Sequence, residues 1–96
     1  MSRRAPSEAD VREAWAEVAR LRRLAVAAAG EAAERRQLTG ACRGDPLHPR
    51  AQGLAAAADF HEARATQAAE RAGGAARVAA ELELRLQSAG GADRCA

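Results

Sequence analysis

From position 11 onward, apolar and small residues return in alternating steps of three and four: Val11, Ala14, Val18, Leu21, Ala25, Ala28 and Ala32. After a break the same rhythm resumes and runs longer, through Leu54, Ala58, His61, Ala65, Ala68, Ala72, Ala75, Ala79, Leu82 and Leu86. Steps that alternate this way keep one stripe of a helix aimed at one neighbour. The pattern predicts two α-helices, each with an a/d seam in which most positions are alanine. Between them Gly44, Asp45, Pro46 and Pro49 interrupt helical geometry, and a connection this short makes the helices antiparallel neighbours. The expected fold is therefore all-α: an antiparallel two-helix hairpin, coiled-coil-like, with an alanine-rich seam.

The ends of the helices carry their own signals. Ser7 precedes Glu8, Asp10 and Glu13, which suits an N-cap followed by acids at the positive end of the helix dipole. The first helix is expected over about 8–39, with Gly40 taking the left-handed C′ position. The loop is expected over 40–48. The second helix follows over about 49–88, started by Pro49 and stopped before Gly90-Gly91. Gly73-Gly74 marks a candidate kink. Residues 7–89 form a single domain in this reading, with residues 1–6 and 90–96 as flexible ends. Glu8–Arg12, Glu31–Arg35 and Glu81–Arg85 have the favoured acid-before-base spacing for helical pairs. Glu81 to Leu86 also alternates with period two, but strong helix formers fill it and a helix is expected there.

Folding the chain at its loop sets a register. Facing residues should have numbers totalling roughly 90 if the helices pack antiparallel. Trp15 would then lie over the side-chain-free backbone of Gly73-Gly74, large against small.

Composition changes the picture in one respect. The chain has 96 residues, 29 of them alanine, while all 15 basic residues are arginine. Only eight Leu, four Val and one each of Met, Phe and Trp are large and apolar. Each contributes about 1.5–3 kcal/mol when fully buried, whereas ordering each residue costs roughly 1–2 kcal/mol of backbone entropy. A core this thin calls for a second chain, so the hairpin is expected to complete a helical bundle by oligomerisation. Trp15, Leu24, Phe60, Val78 and Leu84 do not fit wholly inside the seam, which supports the same expectation. The residues expected to meet a protein partner are Val11, Trp15, Val18, Leu21, Leu24, Val78, Leu82, Leu84 and Leu86.

Candidate chemistry is sparse. No tyrosine or lysine is present, and no nucleophile and base stand at a catalytic spacing, so no enzymatic activity is expected. His61 sits on the seam with Asp59 and Glu62 nearby, but neither is three or four residues away, as a helical metal site requires. No metal, cofactor or small-molecule substrate is expected. Cys42 and Cys95 fall near opposite ends of a long hairpin, and Arg43-Gly44-Asp45 is read as chance. The densest basic cluster, Arg20, Arg22 and Arg23, is the basis of an alternative reading, a nucleic-acid-binding regulator. No aromatic residues interleave with it for base stacking, and the absence of lysine fits a GC-rich coding bias, so nucleic acid is the less favoured partner. With no leader or membrane span evident, the expected setting is cytoplasmic or otherwise intracellular and soluble. The favoured function is non-enzymatic: a small structural or adaptor subunit or a binding chaperone, acting by protein–protein interaction as a homo-oligomer or within a larger complex.

Overall fold

A computed structural model describes residues 5–41 and 49–95 of the chain. It contains two helices that pack against each other, α1 (Glu8–Ala41) and α2 (Pro49–Cys95), and no strand among the described residues. The loop features Cys42, Gly44, Asp45, Pro46 and His48 lie outside the described residues.

Ser7 starts α1 as the charge pattern predicts. Its hydroxyl accepts from the Asp10 amide at 3.2 Å, and Asp10 Oδ2 accepts from the Ser7 amide at 2.8 Å. This reciprocal pair satisfies two groups that a helix start otherwise leaves open. The Ser7 carbonyl takes the first helical bond, from the Val11 amide at 3.2 Å.

The helix ends differ from the sequence expectation. Gly40 does not adopt a left-handed conformation, and α1 continues through it to Ala41. α2 runs as one helix through Gly73-Gly74 and on past Gly90-Gly91 to Cys95. A glycine costs a helix interior about 1 kcal/mol relative to alanine, and here the flanking alanines carry the helix across both pairs.

The seam follows the spacing. Writing the heptad so that Val11 and Ala51 are a positions, the buried residues of α1 are Val11, Val18, Leu21 and Ala32, and those of α2 are Ala51, Ala58, Ala72 and Ala79. All eight stand at a or d. Five of them are alanine, and among the described residues Val18 is the only large side chain less than 2% exposed. Thr39, at the seam's loop end, satisfies its hydroxyl by donating to the Arg35 carbonyl at 2.8 Å.

Glu31 and His61 approach to 3.9 Å across the seam, and their numbers total 92, close to the register of roughly 90 expected from the loop midpoint. Trp15 is half-buried at an e position, on the side of the seam where Ala76 stands on α2. The diglycine is not its seat. A Cβ built on Gly73 meets nothing within 4 Å, and one on Gly74 meets only the Arg77 guanidinium at 3.9 Å. The reason is angular: positions 73 and 74 are b and c, each about 130° from the seam at ~100° per residue. The register alone brought the pair level; the helical phase turns them apart.

The hairpin is long and thin, with extents of 75 × 24 × 15 Å and a radius of gyration of 21.2 Å. A compact domain of this length would have a radius of about 12–13 Å.

Candidate interaction surface

The two edges of the seam are chemically different. On the edge formed by the e positions, Arg36 of α1 reaches across to α2. Its Nε donates to Glu62 Oε1 at 2.7 Å, and its Nη2 lies 2.6 Å from Glu62 Oε2 and donates to Asp59 Oδ1 at 3.0 Å. This is a bidentate, charge-assisted clasp. Hydrogen bonding to Arg36 holds the Glu62 carboxyl below its usual range, and Glu62, then Asp59, hold the Arg36 guanidinium above its own.

The opposite edge, formed by the g positions, is the apolar one. α1 contributes Leu24 and Leu38 there, 44% and 40% exposed. α2 contributes Val78, 56% exposed, and the adjoining c position holds Phe60, 60% exposed. In the register above, Leu38, Phe60, Leu24 and Val78 follow one another along the hairpin from the loop end toward the open end. At about 1.5 Å per residue they span roughly 36 Å. Between them lies a shallow groove of about 100 Å³, walled by Leu21, Leu24 and Ala28 of α1 and by Arg64, Ala68 and Arg71 of α2. The Arg64 guanidinium sits 5.8 Å from the centre of the Phe60 ring, a cation–π distance. Phe60 also meets the His61 ring edge-on, 5.5 Å between centroids.

Charge is divided along this edge. The g positions of α1 that are not leucine are Asp10, Glu17 and Glu31, while those of α2 include Arg64, Arg71 and Arg85. Glu31 pairs with Arg35 at 2.8 Å, and Arg20 Nε donates to Glu17 at 2.8 Å. That bond lowers the Glu17 carboxyl and raises the Arg20 guanidinium. Among the described residues neither Arg64 nor Arg71 takes part in an ion pair.

The structure divides the predicted partner-binding residues into three groups. Val11, Val18 and Leu21 are buried in the hairpin's own seam. Trp15, Leu82 and Leu86 are half-buried at its margins. Leu24, Val78 and Leu84 are exposed, but Leu84 at 66% occupies an f position directly away from α1, while Leu24 and Val78 share the g edge. Sequence reasoning missed Leu38 as a companion of Leu24; the signal was its spacing of two heptads from Leu24. It noted Phe60 without assigning it to a face, because Phe60 joins that edge only once the phase of α2 is set.

The basic cluster does not converge. Arg20, Arg22 and Arg23 stand at c, e and f, fanned over about 160° of the helix, and Arg20 is held by Glu17. His61 does face a carboxylate, Glu31 on the other helix, which spacing within α2 alone could not reveal. Among the described residues no group of three or more His, Cys, Asp and Glu is placed to hold a metal. No helix among them is long and apolar enough to cross a membrane. Of the expected helical pairs, Glu31–Arg35 and Glu81–Arg85 form, at 2.8 and 3.6 Å, whereas Glu8 and Arg12 are not among the ion pairs of the described residues. No family model, curated protein or solved structure matches this chain.

Proposed function

We infer that this chain is a non-enzymatic protein–protein interaction module, a structural or adaptor subunit or a binding chaperone that works with its exposed edge covered by another protein. The observation that carries this reading is an imbalance of surface. The hairpin exposes 7242 Å², whereas a compact folded chain of 10.0 kDa exposes about 5,200 Å². The difference, roughly 2,000 Å² on one chain, is more than the roughly 800 Å² per partner that a standard interface removes from solvent. A core of eight buried residues among those described, mostly alanine, explains the imbalance, since each alanine brings little area to the seam. Exposed Leu24, Val78 and Leu84 belong to the surface available for association, with Trp15, Leu82 and Leu86 at its margin.

Thermal unfolding of the purified chain, followed over a hundredfold range of concentration, tests the reading. A midpoint that rises with concentration is expected if the chain associates with itself, and a weakly cooperative, low-temperature transition if its partner is a different protein. A monomer that unfolds cooperatively at high temperature, independent of concentration, would show that the hairpin needs no cover and would overturn the reading.

A further inference from the structure

We propose that the g edge is covered by a second copy of this chain, related by a two-fold axis parallel to the hairpin's length, so that α1 of one copy lies on α2 of the other and both loops sit at the same end. This rests on the interaction reading above and adds an occupant and a geometry.

The charge division selects the geometry. Two hairpins stacked through their g edges can be related by two kinds of two-fold axis lying in the interface. An axis across the hairpin sets α1 on α1 and α2 on α2, opposing acids to acids and arginines to arginines. An axis along the hairpin sets each α1 on the partner copy's α2. Glu31 then comes level with position 61 and Glu17 with position 75, three residues from Arg64 and four from Arg71, about one helical turn in each case. Those two arginines have no ion pair within the chain among the described residues. Opposed charges across an interface set register and orientation, and like charges exclude the alternative.

Area and shape agree with a closed, isologous pair. The apolar strip runs about 36 Å, and two helices side by side are roughly 20 Å wide, giving on the order of 700 Å² per copy. A standard interface buries about 800 Å² per partner. Leu24 of one copy comes level with the small residue Ala68 of the other, so large again meets small. The product is a four-helix bundle whose second core, made from Leu24, Leu38, Phe60 and Val78, supplies the large side chains that the first lacks.

Sedimentation equilibrium on the full chain and its variants tests this, with helicity read by circular dichroism on every sample. The wild-type mass is expected near twice the 10.0 kDa of one chain. Leu24→Glu and Val78→Glu, at exposed positions on different helices, each weaken dimerisation by at least about tenfold with helicity retained, whereas Val26→Glu, on the other side of α1, leaves it unchanged. Glu31→Arg and Arg64→Glu each weaken the dimer by about tenfold, and the double variant recovers it. Mixed with wild type, the double variant sorts into its own homodimers, read by native mass spectrometry. Free formation of mixed dimers would indicate the crosswise axis and overturn the proposal. So would a dimer insensitive to Leu24→Glu and Val78→Glu. A monomeric but barely folded wild type at about 100 µM overturns the self-partner and leaves the wider reading standing, while a monomeric, heat-stable one overturns both.

Discussion

Arg36 and Glu62 hold each other across the hairpin through two parallel contacts, at 2.7 and 2.6 Å, although 26 positions separate them in the chain. The pair is well exposed on both sides, so water and salt share its charges, and the geometry contributes alignment more than strength.

Arg36→Gln is expected to lower the melting temperature by about 2–4 °C at neutral pH and low salt. The Glu62 carboxyl is depressed in the folded chain. Its contribution is therefore present above the ordinary carboxylate range and lost as pH falls through the depressed value. Melting curves of wild type and variant should converge in acid, below the ordinary carboxylate range, and also at about 1 M salt.

The alanine seam leaves no room for larger side chains. Ala58 and Ala79 are 0% exposed, so Ala58→Leu should cost about 1–3 kcal/mol through overpacking. Leu21→Ala, at a position 6% exposed, should cost about 2–5 kcal/mol through the cavity it leaves. Val26→Ala, at a position 73% exposed, should stay within about 0.5 kcal/mol of wild type. Urea titration at fixed protein concentration distinguishes the three.

Gly73→Ala and Gly74→Ala should each stabilise the chain by about 0.5–1 kcal/mol. Both sites are helical, neither has a positive φ, and a Cβ at either meets at most the flexible end of Arg77. Had Trp15 been seated on this backbone, the same changes would clash and destabilise. The sign of the shift in melting temperature decides between the two arrangements.

Ser7→Ala removes the hydroxyl that accepts from the Asp10 amide and should cost about 0.5–2 kcal/mol. Hydrogen exchange should locate the effect in the first turn of α1, with the middle of α2 unaffected.

The seam was legible in the sequence because spacing alone fixes which residues share a helical stripe. All eight buried residues fall on that stripe, though Ala51 lies one step before the run that begins at Leu54. Ser7 was legible because capping is a local matter. What lay beyond reach depended on two helices at once. The Arg36–Glu62 clasp, the Glu31–His61 approach and the gathering of Leu24, Leu38, Phe60 and Val78 on one edge all require the phase of each helix as well as the register between them. The Trp15 expectation used the register without the phase, and failed for that reason. Gly40 and Gly90-Gly91 were read as stops because glycine favours helix ends statistically, yet nothing in the local geometry obliges a helix to end there.

An alanine ladder also has a weakness as a ruler. Sliding α2 by one heptad, about 10.5 Å, would again set alanine against alanine along most of the seam, with little change in fit. The features that tell one alignment from the next are few: Val18 and Leu21 toward the open end, and the guanidinium fork of Arg36 toward the loop. This exposed ion pair thus acts less as a stabiliser than as a detent, marking the one stop at which the two helices are in step.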